Sequence, residues 1–169
     1  MTTRLAKLDR RSLLFWIVTL TFIPRLANAA AGSKSLRILF VCQFGTVKSP
    51  IARELLKRRA AERHVELQVT ARGITPQHHN TPELLGRLAR DRIDPTAEPL
   101  VKLGPNDIAD ADLVIAFDKL PAEYRPHGFE DWSDLPSMVN DYDHARAVLD
   151  GRIEVLLDRL SARPGSSSP

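Results

Sequence analysis

The fold of this chain is decided at residues 37–50, which read RILFVCQFGTVKSP. Residues 37–41 are an apolar run that predicts a buried strand, and a strongly helical stretch begins at Ile51. The loop between them starts with the chain's only cysteine, Cys42. Such a loop points backbone N–H groups and the positive end of a helix dipole at one place, which attracts oxyanions and activates a thiol. Cys42 is therefore predicted to be a nucleophile that accepts a phosphoryl group.

The first 29 residues have the pattern of a secretory signal. A basic start is followed by an apolar run at residues 13–23, which is short for a membrane span, and then by the small residues of 27–29. The pair Arg10-Arg11 favours the twin-arginine route over the general secretory one, and an uncleaved anchor is a third reading. We expect an exported, periplasmic protein, or a cytoplasmic one if the signal is not used.

Removing this signal changes the charge of the chain. The chain has 24 basic and 21 acidic residues, of which five basic and one acidic belong to the first 29, so the mature part has 19 and 20. Its formal charge is therefore −1, and the basic character of the whole chain is no argument for nucleic-acid binding. We expect no nucleic-acid partner and no stable membrane association after cleavage.

The cysteine and histidine content argues against structural cross-links. A single cysteine excludes an internal disulfide framework and a cysteine-rich zinc site. The adjacent pair His78-His79 cannot easily share one metal, so it is interpreted as a loop that lines the substrate cleft or as a plain surface loop. No metal and no cofactor is expected.

The 140 residues after the signal are enough for one domain. We predict a linker at 30–35, the domain at 36–162 and a disordered tail rich in glycine, serine and proline at 163–169.

Strands and helices alternate along this domain. After the first strand, further strands are predicted at 67–71, at 113–117 and near 128–132. Thr81 is predicted to cap a helix that has an apolar stripe of leucines, Leu84, Leu85 and Leu88. Seven apolar residues predict one face of a final helix: Ala145, Val148, Leu149, Ile153, Leu156, Leu157 and Leu160. This order predicts a three-layer α/β/α sandwich with a four-stranded parallel sheet, with ligands bound beyond the carboxyl ends of the strands.

The cysteine loop, the strands after it and the segment before the last helix, taken in their order along the chain, resemble the low-molecular-weight protein tyrosine phosphatases. A hydrophobic strand, a cysteine, five residues, a cation, a serine and a proline are similar to the family signature. Residues 69–73 resemble its second strand and following turn, and residues 111–118 resemble its third strand. Residues 132–136, which precede the last helix, resemble the segment that carries the general acid.

The resemblance implies a phosphatase-like enzyme that acts through a phosphocysteine on a phosphorylated protein or a small phosphomonoester. Cys42 is the implied nucleophile, Lys48 the cation on the phosphate oxygens, and Asp134 the proton donor with Asp131 as a substitute. The implied phosphate-binding residues are Gln43, Phe44, Gly45, Thr46, Val47, Lys48 and Ser49.

The chain departs from the family pattern in three places. Lys48 replaces an arginine, and a lysine cannot donate the two parallel hydrogen bonds of a guanidinium fork. Phe44-Gly45 stands where the family has Gly-Asn, and Leu135 separates Asp134 from the proline that normally follows the acid.

These departures leave alternatives open. Ser49 is also interpretable as a helix cap, and Arg72 as a substitute cation. The protein could instead be an oxyanion-binding pseudophosphatase that has lost turnover, or an arsenate reductase-like protein coupled to a small external thiol. A third reading is a cysteine phosphocarrier similar to the B subunits of sugar phosphotransferase systems, although an export signal argues against it.

Overall fold

The computed structural model describes residues 35–162. The predicted signal, residues 30–34 of the linker and the predicted tail lie outside the described residues. The elements in chain order are β1 (Leu36–Cys42), α1 (Lys48–Glu62), β2 (Leu67–Gly73), α2 (Pro82–Arg90), α3 (Pro105–Asp110), β3 (Leu113–Ala116), β4 (Phe129–Asp131) and α4 (Tyr142–Ser161).

The four strands form one parallel sheet in the order β2-β1-β3-β4. Side chains of β1 alternate between the two faces of the sheet, as the two-residue period of a strand requires. Ile38 and Phe40 belong to a core shared with α1, α2 and α4, whereas Leu39 and Val41 pack with α3 on the opposite face. Helices therefore cover both faces, and the predicted α/β fold class with a four-stranded parallel sheet is confirmed.

The helices largely follow their predicted faces. On α4 six of the seven predicted residues are buried and Val148 is half-buried. The Thr81 hydroxyl accepts a hydrogen bond from the backbone N–H of Leu84 at 3.2 Å, so the predicted cap of α2 is confirmed. Leu85 is an exception, because this short helix reaches the core only through Leu84 and Leu88, one turn apart, and Leu85 is 39% exposed.

Some boundaries differ by one or two residues from those predicted. β3 ends at Ala116, and β4 covers only three residues. The next residue along each strand still bonds to its neighbour: Phe117 N–H donates to the Val41 carbonyl and Trp132 N–H to the Ala116 carbonyl, both at 2.8 Å. No helix among residues 35–162 is long and apolar enough to cross a membrane.

Candidate active site

The loop from Cys42 to Ser49, called here the phosphate loop, turns at the carboxyl edge of the sheet. β1 ends at Cys42, and α1 begins at Lys48. Gly45 has φ +71°, and a Cβ there would lie 2.8 Å from the Cα of Gly73, the residue that pairs with Cys42 across the sheet. The turn therefore needs glycine for its backbone conformation and for the close approach to β2.

Two groups of the loop converge on the Cys42 sulfur. The backbone N–H of Gly45 donates to Sγ at 3.2 Å, and the Ser49 hydroxyl lies 3.0 Å from it. The same hydroxyl lies 3.3 Å from the Arg72 carbonyl. Because a serine has one hydroxyl hydrogen, Ser49 can donate to a thiolate, or accept from the thiol while it donates to the Arg72 carbonyl. The loop can therefore accommodate both protonation states of the cysteine.

This use of the Ser49 hydroxyl excludes the alternative that Ser49 caps the helix. The N-cap position of α1 is Val47, which makes no side-chain cap, and Ser49 lies inside the first turn. The helix begins earlier than the position of Pro50 predicted, so the serine faces the sulfur instead of the free N–H groups.

A cavity of about 380 Å³ opens beside Cys42. It is lined by Cys42, Gln43, Phe44, Val47, Lys48, His79, Thr81, Asp118, Ser137, Met138 and Val139. Its titratable members are Cys42, Lys48, His79 and Asp118. The rings of Phe44 and His79 are stacked at its border, with centroids 4.0 Å apart and planes 28° apart. The cavity thus combines a cysteine thiol, a lysine ammonium, an aromatic wall, a carboxyl group and an imidazole.

Lys48 lines this cavity but is already engaged. Its ammonium donates to the backbone carbonyl of Leu135 at 2.9 Å. This bond links the start of α1 to residues 132–138, called here the acid segment, which lie between β4 and α4. A phosphate in the cavity would therefore compete with the Leu135 carbonyl for the ammonium.

Asp118 is a site residue that the sequence analysis did not assign. Its Oδ2 accepts the backbone N–H of Gln43 at 2.8 Å and so holds the start of the phosphate loop. The Gln43 side chain donates to the Thr75 hydroxyl at 2.7 Å. The sequence could have indicated this role, because Asp118 comes directly after the apolar run of β3. Residues that follow parallel strands lie at the carboxyl edge of the sheet, where ligands bind.

The predicted acid Asp134 is not among the residues that line the cavity. Arg152 donates to both of its carboxylate oxygens, at 2.9 and 2.6 Å, and the Asp134 side chain is 73% exposed. The hydrogen bonds from Arg152 lower the pKa of Asp134 below its usual range, and the positive charge of Lys48 acts in the same direction. Its suggested substitute Asp131 accepts from Ser133, which lowers the pKa of that carboxyl too.

Three other residues singled out from the sequence lie off this cavity. The Arg72 guanidinium pairs with Asp107 at 2.7 Å, so it does not supply a substitute cation. Thr46 is buried and donates to the Gln77 carbonyl at 2.9 Å. His78 lines a separate cavity of about 230 Å³, together with Thr46, whereas its neighbour His79 borders Cys42. The interpretation of this loop as part of the cleft therefore holds for His79 and not for His78.

The parallel sheet and the loop between β1 and α1 define an α/β protein with a cysteine at the carboxyl edge of its sheet. A family model described as low molecular weight phosphotyrosine protein phosphatase matches residues 37–154. This match covers well over half of the chain, and the chain belongs to that family.

Solved structures share the fold at low identity. The YwlE arginine phosphatase of Bacillus subtilis, as a mutant with a phosphorylated active-site serine, is 19% identical, with 78% of this chain and 100% of that chain covered and a TM-score of 0.66. A low-molecular-weight tyrosine phosphatase from T. tengcongensis is 20% identical, with 74% and 99% covered and a TM-score of 0.64. A thioredoxin-dependent arsenate reductase from Corynebacterium glutamicum is 23% identical, with 77% and 64% covered and a TM-score of 0.62. A comparison with curated proteins gives no match.

Proposed function

We propose that this protein hydrolyses phosphomonoesters through a phosphocysteine on Cys42. The observation that carries the proposal is the convergence of the Gly45 N–H and the Ser49 hydroxyl on the Cys42 sulfur, beside an open cavity. Two hydrogen-bond donors and a helix N-terminus stabilise a thiolate, which is the reactive form of cysteine. Membership of the phosphatase family supports the same chemistry.

In the first step the thiolate attacks phosphorus, an S–P bond forms, and the bond from phosphorus to the ester oxygen breaks. The departing oxygen takes a proton and leaves as an alcohol or phenol. In the second step a water molecule gives up a proton and attacks the phosphocysteine, which releases inorganic phosphate and regenerates the thiolate. The N–H groups of the first turn of α1 have no partner within the helix and stabilise the charge on the phosphoryl oxygens.

Lys48 would supply the positive charge for these oxygens. To do so, its ammonium exchanges the Leu135 carbonyl for a phosphoryl oxygen. A single ammonium donates to the three equatorial phosphoryl oxygens of the transition state less well than the two parallel N–H groups of an arginine. We therefore expect the lysine to lower the rate of turnover more than the affinity for phosphate.

A second candidate is an oxyanion-binding protein without turnover. The specific observation in its favour is that both predicted catalytic side chains already have protein partners: Lys48 donates to the Leu135 carbonyl, and Asp134 pairs with Arg152. An arsenate reductase-like activity also fits the fold, and one solved structure of similar fold is described as such a reductase. Because Cys42 is the only cysteine, that activity would depend on a small external thiol.

We further propose that the protein acts after export. The basic start, apolar run and small residues of 1–29 support this. Amino-terminal sequencing of the protein from a periplasmic extract tests it. A first residue near Ala30 is the expected result, and an intact Met1 in the cytoplasmic fraction would contradict it.

The test of the enzymatic proposal is hydrolysis of p-nitrophenyl phosphate by the mature domain and three variants. We expect turnover that is lost in Cys42→Ser and raised in Lys48→Arg. Asp134→Ala reports whether the acid predicted from the sequence takes part. A parent without turnover that still binds sulfate would favour the non-catalytic alternative, and a gain on Lys48→Arg would locate the defect at the cation.

A further inference from the structure

Proton transfer to a leaving group requires a side chain that borders the cavity in which the ester lies. Asp134, the donor predicted from the sequence, is outside the lining and held by two hydrogen bonds from Arg152. Asp118 borders the cavity, but one of its oxygens already serves as acceptor for the backbone of Gln43. Among the described residues that line this cavity, the remaining side chain able to carry a proton near neutral pH is His79.

The position of His79 is fixed by stacking. Its ring lies on that of Phe44 with nearly parallel planes, and Phe44 is two residues from the nucleophile. Because the N–H and the lone pair of the ring nitrogens lie in the plane of the ring, stacking through the ring face leaves them available to a ligand. Across residues 35–162, no side chain or backbone group hydrogen-bonds to either nitrogen of His79.

We propose that His79 is the proton donor to the leaving oxygen in this site, an inference that rests on the hydrolysis proposed above. As the bond from phosphorus to oxygen breaks, the imidazolium N–H transfers its proton to the departing oxygen and His79 becomes neutral. The neutral ring then accepts a proton from the water that attacks the phosphocysteine, which restores the imidazolium. Protons and electron pairs balance over the two steps without any further reactant.

The charge of a bound substrate favours the form that this role requires. The other titratable groups of the cavity are the Cys42 thiol, the Asp118 carboxyl and the Lys48 ammonium. A bound phosphate dianion adds negative charge, which favours the imidazolium.

Two substrates with different leaving groups distinguish a residue that donates a proton from one that only packs in the cavity. Phenol leaves poorly without a proton, whereas p-nitrophenol leaves well as the anion. We expect His79→Gln to lower kcat on phenyl phosphate by about 100-fold, within the usual range for a general acid, and to change p-nitrophenyl phosphate much less. His79→Phe keeps an aromatic ring against Phe44 but carries no proton, and it should behave like His79→Gln.

Two controls make the kinetic result decisive. His78→Gln removes the neighbouring imidazole and should leave both substrates unaffected. If His79→Phe still hydrolysed phenyl phosphate, His79 would only pack against the cavity, and the inference would be overturned. A loss specific to phenyl phosphate in Asp134→Asn, with none in the His79 variants, would also overturn it.

A second measurement does not depend on turnover. NMR spectra of the imidazoles with and without saturating sodium sulfate should show the ring resonances of His79 shifted on binding, and those of His78 shifted less. Equal shifts at both rings, or none, would overturn the inference. A shifted His79 in a parent without turnover would overturn the hydrolysis and the catalytic role together, whereas a hydrolysing parent with active His79 variants would overturn the role of His79 alone.

Discussion

The phosphate loop and the acid segment lie on the same cavity but are held in different ways. The loop is fixed by backbone geometry: Gly45 packs against the backbone of Gly73, and its N–H donates to Cys42. The acid segment is fixed by two side chains from elsewhere, Lys48 on the Leu135 carbonyl and Arg152 on Asp134. Only the second kind of contact can be exchanged for a ligand without disturbing the sheet.

The difference separates what binds an oxyanion from what completes the reaction. In the proposed reaction, oxyanion binding would depend on a short contiguous stretch, 42–49, whose geometry is set by β1 and α1. Proton transfer would depend on a group from another part of the chain, either the acid segment or the loop that carries His79. We therefore expect binding to be robust and turnover to be sensitive to distant substitutions.

The largest expected effect comes from breaking the backbone of the loop. Gly45→Ala forces an alanine to φ +71° and places its Cβ 2.7 Å from the Leu100 side chain and 2.8 Å from Gly73. We expect a loss of about 2–4 kcal/mol in the free energy of unfolding, together with loss of sulfate binding. Urea denaturation and calorimetric titration with sulfate measure the two effects.

Gly86→Ala is the matched control for that substitution. Gly86 lies on α2, where an added Cβ would meet nothing within 4 Å. Alanine is the better helix former there, so a gain of about 0.5–1 kcal/mol is expected. If Gly45→Ala were as harmless as Gly86→Ala, the loop would not depend on its backbone contact with β2.

The next effect concerns the cation shared by the two regions. Lys48→Met removes both the charge near the oxyanion and the bond to the Leu135 carbonyl. We expect sulfate affinity to fall by about tenfold, or about 1.4 kcal/mol. Lys57→Met makes the same change further along α1, where the lysine pairs with Glu98, and should leave sulfate affinity unchanged. Equal losses would mean that Lys48 acts only through general charge.

The same contrast explains what could be predicted from the sequence. The strands and the position of Cys42 at the end of the first of them follow from local signals, namely apolar runs and a strand-loop-helix order. These features are confirmed, because each depends on residues that are close together in the chain. Even so, the start of α1 two residues before Pro50 escaped prediction, because Ser49 followed by Pro50 is a typical N-cap and N1 pattern and favours a later start.

Contacts between distant residues were not predictable from one sequence. No residue near Asp134 in the sequence predicts its pairing with Arg152, which lies nearly three turns into α4. The stacking of His79 on Phe44 likewise depends on how the loop after β2 folds back over the sheet edge. The sequence analysis therefore named Cys42 from a local pattern and Asp134 from the family resemblance, whereas only the geometry of the cavity suggests His79 as a proton donor.

A smaller effect on stability is expected from the hydrogen bond that holds the start of α4. Tyr142 opens this helix, and its hydroxyl donates to Asp91 at 2.5 Å. Tyr142→Phe should lower the free energy of unfolding by about 1 kcal/mol, measured in urea. Tyr124→Phe, whose hydroxyl lies 3.4 Å from the Leu103 carbonyl, is the control and should cost less. If both variants lost the same free energy of unfolding, the hydrogen bond to Asp91 would stabilise the fold no more than the longer one to Leu103.

The same hydroxyl gives a pH dependence. Burial, followed by the hydrogen bond to Asp91, raises the pKa of Tyr142 above its ordinary value. Its contribution to stability is therefore complete below the pKa of an unfolded tyrosine, about 10, and is lost as pH rises through the higher folded value. The absorbance of the phenolate follows this directly, and ionisation of Tyr142 at its ordinary pKa would contradict the assignment.

The smallest expected effect is the most informative about the proton donor. Arg152→Leu removes the partner of Asp134, and leucine still covers the Trp132 ring on which the guanidinium lies. We expect the pKa of Asp134 to rise toward the ordinary aspartate value in an NMR titration, with little change in stability because the pair is exposed and screened by solvent. Any stabilisation by the pair is present above the unfolded pKa of about 4 and is lost as pH falls through the folded one.

Turnover in the same variant distinguishes the two donors. Arg159→Leu, which breaks a pair with Glu130 instead, is the control and should leave the pKa of Asp134 unchanged. If Asp134 donates the proton, its release by Arg152→Leu should increase turnover of phenyl phosphate. If His79 donates it, turnover should stay the same while the pKa of Asp134 moves. A freed Asp134 without kinetic effect would mean that the acid segment of this protein no longer supplies the acid, and that catalysis has moved to the loop after β2.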